Sequence, residues 1–307
     1  MAGKQKIAII GAGLMGHGIA QVFAVAGHDV AITDPVEAAR QAAPGRISRN
    51  LAEMGLDPDA VNRISLHADL AEAVAGADVV IEAALENMEL KQKLFAQIEA
   101  AAPAHAILAS NTSVMPITQI MQNIRDKSRA LGTHWWNPPF LVPLVEVVRT
   151  VDVSDKTVAS MMALLASVGK TPVEVKKDVP GFVGNRLQHA LWREAISIVE
   201  QGICDADMVD MVVKASFGRR LPVLGPLENA DMVGADLTLA IHQQVLPYID
   251  SRPAPSPLLE EMVKEGKLGF KSCEGFRTWS AEDQNDLRKK VLDHLMDMDA
   301  KDKAAKT

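Results

Sequence analysis

Short, unbroken apolar runs alternate with longer stretches in which apolar residues return every three or four positions, and this alternation persists to about residue 178. The runs at 7–10, 30–32, 77–82, 106–109, 130–133, 144–148 and 172–175 have strand length and no polar face, the pattern of strands covered on both sides. Helical spacing marks Ile19, Val22, Phe23 and Ala26, then Lys91, Leu94, Phe95 and Ile98, then residues 155–168. Residues 34–64 read as polar and helical, with a turn at Gly55-Leu56-Asp57-Pro58. Strands alternating with helices predict an α/β fold with a mainly parallel sheet. At Val179-Pro180-Gly181-Phe182 the strands stop. Helices are expected over 183–201, 205–216, 231–248, 257–265 and 282–295, with Asp205 as the N-cap of the second. The chain thus divides into an α/β domain at 1–180 and an all-helical domain at 181–307, and its charged tail from Asp299 is expected to fray.

The first strand ends at Gly11-Ala12-Gly13-Leu14-Met15-Gly16, a helix follows, and the second strand ends on Asp34. This is the βαβ fingerprint of a Rossmann-type dinucleotide-binding domain. Gly11 turns the chain off the strand, Gly13 leaves room for a pyrophosphate, and Gly16 lets helix and sheet approach closely. With Leu14 and Met15 they form the predicted cofactor-binding turn, where helix amides and the helix dipole meet the phosphates. Asp34 is placed to bind the adenosine ribose hydroxyls and to repel a 2′-phosphate. The nearest arginine, Arg40, comes late, so NAD is expected rather than NADP.

Composition narrows the classes. A chain of 307 residues with 48% hydrophobic and 23% charged residues is long enough for two cores and has the balance of a globular protein. A net charge of −7 without a dense basic cluster argues against nucleic acid and anionic membranes as partners. Cys204 and Cys273 stand far apart, outside any CxxC pattern, which suggests no disulfide framework and no metal site. The first strand begins too early to leave room for a signal peptide, and no apolar stretch reaches the ~20 residues that span a bilayer. A cytoplasmic location is expected.

His134, at a strand end before Trp135-Trp136-Asn137-Pro138-Pro139, is the leading proton-transfer candidate, since an imidazole can take a hydroxyl proton near neutral pH. Glu146 lies on a following strand that can return beside it and orient the ring. Ser113, Asn111 and Asn137 either hydrogen-bond a substrate or the nicotinamide ribose, or cap turns. Asn185 faces the cleft or caps a helix. Trp135 and Trp136 wall a pocket or fill the core. Arg219 and Arg220 clamp a substrate carboxylate or form salt bridges.

The glycine fingerprint, IEAALENMELK (81–91), SNTS (110–113), THWWNP (133–138), LVEVV (144–148), DVPGFVGNR (178–186) and GFKSCEGF (269–276) occur in order over nearly the whole chain. Together they resemble the 3-hydroxyacyl-CoA dehydrogenase family. The resemblance implies oxidation of a 3-hydroxy group by hydride transfer to NAD, with a His134–Glu146 catalytic pair and Ser113 and Asn185 at the reacting oxygen. It also implies cofactor contacts from Asp34, Glu86, Lys91, Asn111, Asn137 and Lys271, and a homodimer formed through the helical domain. The segment 35–64 is shorter than the lysine-bearing hairpin with which acyl-CoA-using members hold CoA, and it has no lysine. Only Arg40, Arg46, Arg49 and Arg63 are available there as substitutes. The chain therefore also resembles the branches that act on small free acids such as L-gulonate, carnitine or pyridine carboxylates, THWWNPP and VKKDVPGF being closest to the last. The expected substrate is an acyl-CoA or a free hydroxy acid; the alternative of another class is a non-catalytic NAD-binding relative.

Overall fold

The computed structural model describes residues 3–304. Eight strands, β1 (Lys6–Ile10), β2 (Asp29–Thr33), β3 (Ile64–His67), β4 (Val79–Glu82), β5 (Ile107–Ser110), β6 (Ala130–Trp135), β7 (Leu144–Val148) and β8 (Thr171–Val175), form one sheet in the order β3-β2-β1-β4-β5-β6-β7-β8. Neighbours pair in parallel except β6 and β7, which run antiparallel. The reversal at β2-β1-β4 puts the ends of these strands around the glycine turn, the switch point at which open α/β sheets bind ligands.

Both faces of the sheet are covered, which is why its strands read as unbroken apolar runs. In β1, Ile7 and Ile9 belong to one buried cluster and Ala8 and Ile10 to the other. Helices α1 (Leu14–Val25), α2 (Glu37–Glu53), α3 (Leu70–Val74), α4 (Met88–Ala101), α5 (Ile117–Ile120) and α6 (Asp155–Ser167) complete this part. β3 departs from the expected all-helical 34–64 segment. Its Ile-Ser-Leu-His is only partly buried at the sheet edge, so it lacks the unbroken apolar signature of the central strands.

The chain separates into two compact units, one through Asn185 together with the segment from Leu292, the other Arg186–Val291. The second unit is helical: most of α7 (Gly184–Glu200), then α8 (Ala206–Ala215), α9 (Pro226–Val233), α10 (Ala235–Val245), α11 (Pro257–Lys264) and the start of α12 (Ala281–Ala304). The single helix expected over 231–248 is split, because Gly234 adopts φ 105°, a conformation no helix contains. Asp205 occupies the N-cap position of α8, but its side chain makes no capping bond. The tail expected to fray from Asp299 is helical through Ala304; residues 305–307 lie outside the described residues.

Candidate active site

β6 and β7 set His134 directly opposite Glu146 in antiparallel register. Cross-strand partners on one face are close enough to bond, and His134 Nδ1 lies 2.7 Å from Glu146 Oε2. Both side chains are buried, at 4% and 1% exposure. The other carboxylate oxygen accepts the amides of Val183 and Gly184, at 2.9 and 3.0 Å, where α7 begins. Burial pushes the Glu146 carboxyl up, but the His134 hydrogen bond and the Gly184 and Val183 amides outweigh it and hold it below the usual carboxylate range. An ionised Glu146 accepts from Nδ1–H, so Nε2 keeps its lone pair and has no partner among the described residues.

Two aromatic rings flank the imidazole: Trp136 with centroids 5.1 Å apart and Phe182 at 5.6 Å. Phe182 takes φ 48°, uncommon for a bulky residue, and is 1% exposed. Side chains alternate along a strand, so His134 and Trp136 share a face while Trp135 turns to the other. Trp135 is therefore a core residue rather than a pocket wall: it is 2% exposed and stacks edge-on against Phe23 at 5.9 Å.

The β5 end delivers Asn111, Thr112 and Ser113. Asn111 Oδ1 accepts the Trp135 amide at 2.9 Å, tying this loop to β6. Glu86 accepts from Thr112 Oγ1 at 3.0 Å and from the Ser113 amide at 2.6 Å. Asn185 Nδ2 donates to the Ser113 carbonyl at 2.9 Å. The Ser113 hydroxyl itself has no partner among the described residues. Sequence reasoning missed Glu82, fully buried at the end of β4. It accepts from Lys91 Nζ at 2.6 Å, Ser110 Oγ at 2.6 Å and the Ala84 amide at 2.7 Å. Its signal was a carboxylate closing an apolar run. Lys91, expected at the cofactor, is 1% exposed and committed to this ion pair, with Glu86 3.5 Å away. Asn137 is exposed in the loop after β6.

The glycine turn fits a dinucleotide. A Cβ on Gly13 would enter open space, whereas one on Gly16 would run into the Gly11 carbonyl. That leaves unobstructed room beside the free amides of the first turn of α1. Asp34 accepts the Ala12 and Val36 amides at 2.7 and 2.8 Å, fixing its carboxylate at the end of β2. Arg40 donates to the Asp34 carbonyl at 2.6 Å and Arg63 to the Ala24 carbonyl at 3.2 Å, so both serve the local backbone.

In the helical unit, Arg219 and Arg220 are exposed at the short turn 217–220, and neither guanidinium meets a carboxylate among the described residues. Lys271 is exposed and lines a groove of about 940 Å³ with Trp192, Phe270, Phe276 and Trp279. Among the described residues no cluster of His, Cys, Asp and Glu is arranged to hold a metal ion, and no helix is long and apolar enough to cross a membrane.

Comparison with known proteins adds to this geometry. The profile of the 3-hydroxyacyl-CoA dehydrogenase NAD binding domain matches residues 6–179, and that of the 3-hydroxyacyl-CoA dehydrogenase C-terminal domain matches 181–279. The chain is 36% identical over 291 residues to 5-formyl-3-hydroxy-2-methylpyridine 4-carboxylate 5-dehydrogenase of Mesorhizobium japonicum, covering 92% of this chain and 94% of that protein. It is 41% identical over 281 residues to a probable 3-hydroxybutyryl-CoA dehydrogenase of Bacillus subtilis, covering 89% and 96%. A crystal structure of a 5-formyl-3-hydroxy-2-methylpyridine 4-carboxylic acid 5-dehydrogenase, described as an NAD+-dependent dismutase, superposes with a TM-score of 0.90 at 35% identity, covering 96% and 97%.

Proposed function

The chain belongs to the 3-hydroxyacyl-CoA dehydrogenase family and is an NAD-dependent oxidoreductase acting on a CH–OH group; from that premise we propose that His134, backed by Glu146, is the base of the reaction and that the substrate is a small free hydroxy acid. Bound NAD supplies the acceptor for the hydride that leaves the alcohol carbon. The residues of the chain handle the proton. Nε2 of His134 takes it from the hydroxyl, and the ionised Glu146, 2.7 Å from Nδ1, stabilises the imidazolium that results. Ser113 offers its unpartnered hydroxyl to the reacting oxygen, and Asn185 holds the Ser113 backbone in place. Asp34, Gly11, Gly13, Leu14, Met15 and Gly16 bind the dinucleotide end, with Glu86, Asn111 and Asn137 toward the nicotinamide. Lys91 serves this group through Glu86.

The hydrogen-bonded His134–Glu146 pair carries the reading of the chemistry. Replacing His134 with Ala should lower kcat by about 10³-fold, within the range of general acid–base catalysis, while NAD binding persists in calorimetry. Turnover within a few-fold of the parent enzyme would remove His134 from this role.

The preference for a free acid rests on the charges left available. Arg40 and Arg63 are spent on backbone carbonyls, which leaves Arg46 and Arg49 of the four arginines that stood in for a CoA-binding lysine cluster. The similarity over 92% of the chain to a dehydrogenase of a pyridine carboxylate supports the same preference. The second reading, a 3-hydroxyacyl-CoA substrate, is favoured by the 41% identity to a probable 3-hydroxybutyryl-CoA dehydrogenase. NADH formation with L-3-hydroxybutyryl-CoA and a panel of free hydroxy acids, including hydroxymethylpyridine carboxylates, separates the two by kcat/KM. Higher kcat/KM for the CoA ester would overturn the free-acid reading.

We also place the enzyme in the cytoplasm, where Cys204 and Cys273 stay reduced, and infer a homodimer. Helices α8, α9 and α10 contain no buried residue, and Met211, Leu227, Met232, Leu239 and Ile241 lie exposed on them. Light scattering should return twice the mass of one chain; a monomer would refute the inference.

A further inference from the structure

The loop after His134 has an unusual shortage of backbone donors. It runs Trp136-Asn137-Pro138-Pro139-Phe140-Leu141-Val142-Pro143, so three of its eight residues have no N–H with which to anchor themselves. The amides of Leu141 and Val142 both turn inward to the Pro138 carbonyl, at 3.1 and 3.0 Å. The loop carries Asn137 and joins β6 to β7, and so joins His134 to Glu146. Something outside it has to hold it.

That role falls to Lys170, in the turn between α6 and β8. Its Nζ donates to the Pro139 carbonyl at 2.5 Å and to the Val142 carbonyl at 3.0 Å. The ammonium also lies 5.8 Å from the centre of the Trp135 ring, within cation–π range. No carboxylate forms an ion pair with it among the described residues. A half-buried lysine bound to two carbonyls and an aromatic ring contributes little as a conventional ion pair. Its partners all belong to the loop or to its first anchor.

We propose that Lys170 is a positioning residue of the dehydrogenase: its ammonium clamps the Pro139 and Val142 carbonyls and so fixes the loop that places Asn137 beside the cofactor and keeps His134 opposite Glu146. This rests on the reading of His134 as the base, but the clamp itself is a structural property that can be measured without turnover. Charge-assisted bonds are about twice as strong as neutral ones, so the clamp depends on the amine being protonated. Burial pulls Lys170 down to about 8, with Asp299 of α12 drawing it upward and Lys303 of the same helix downward. The Lys303 ammonium is itself bound to Asp299 at 2.6 Å, so these two charges largely offset each other at Lys170. The clamp is therefore tight in neutral solution and weakens as pH rises past 8.

The test compares the parent enzyme with Lys170→Met and Lys170→Arg. Amide hydrogen exchange should be at least tenfold faster in Lys170→Met at Leu141 and Val142, with the core of β1 and β4 unchanged, and Lys170→Arg should recover part of the protection. In steady-state kinetics Lys170→Met should lower kcat about tenfold and raise KM for NAD, Asn137 and His134 being disturbed together. Should Lys170→Met fail to fold, the parent protein still decides the matter, because loop protection factors corrected for intrinsic exchange should fall between pH 7 and 9 while those of β1 stay constant. Loop protection that is the same in both proteins, or flat with pH in the parent, would overturn the clamp. Absence of turnover by the parent on every alcohol offered would overturn the proposed reaction and leave the exchange result standing.

Discussion

Glu146 has one oxygen on His134 and the other on the Val183 and Gly184 amides, so one side chain both orients the imidazole and caps the start of α7. Glu146→Gln keeps the shape but loses the charge, and should lower kcat about 10²-fold with a smaller change in KM, read from steady-state kinetics. It also predicts an acid limit to stability. The carboxyl is held below its ordinary 4.5 in the folded protein, so its stabilisation is complete above that value and is lost as pH falls through the lower folded value. The stability difference between the parent and Glu146→Gln, from urea unfolding, should therefore shrink below about pH 4.5. Lys170 has the same sign in a higher window, but there the rise comes from relief of a buried charge rather than from a stabilised one. The unfolded chain keeps its proton to about 10.5 and the folded chain only to about 8, so over that window folding stability rises with pH in the parent relative to Lys170→Met. That His134 closes a strand and that Glu146 lies on the next one was legible in the sequence, because apolar run length marks strands. Trp135 was ambiguous until strand alternation put it on the opposite face from His134.

At the scale of elements, β4 and α4 are joined by the buried Lys91–Glu82 pair, which no periodicity announces. Removing one partner strands a buried charge, so Lys91→Met should destabilise by about 3–5 kcal/mol, whereas the double change Glu82→Gln with Lys91→Met should recover much of that loss in urea unfolding. α7 starts against the ring of Trp136, where a Cβ on Gly184 would collide. Gly184→Ala should push the ring toward His134 and depress kcat more than NAD affinity. The central strands were readable because burial on both faces makes them uniformly apolar. β3 was not readable because an edge strand with one polar face looks like its helical surroundings.

At the scale of the whole molecule, the polypeptide leaves the α/β unit at Asn185 and returns to it from Leu292. A boundary drawn from the loss of strands has no means of finding the return. Chains ending at Val291 should lose the α12 segment that belongs with the nucleotide-binding unit. Calorimetry should show NAD binding retained and the melting temperature several degrees lower; an unchanged melting temperature would separate that segment from the unit's stability. The exposed apolar residues of α8, α9 and α10 belong to the same scale, since helical spacing reports an amphipathic face without saying what covers it.

The α/β class, the glycine turn with Asp34, and the choice of His134 and Glu146 follow from the sequence itself, because each depends on short-range pattern: strand length, turn stereochemistry, and a titratable group at a strand end. The antiparallel register that sets these two side chains 2.7 Å apart was decided only by tertiary structure. The same holds for the burial that pairs Lys91 with Glu82, and for the approach of Lys170 to a loop some 30 residues before it. Those features are contacts between residues distant along the chain, and distance along the chain carries no information about them until the sheet has brought them together.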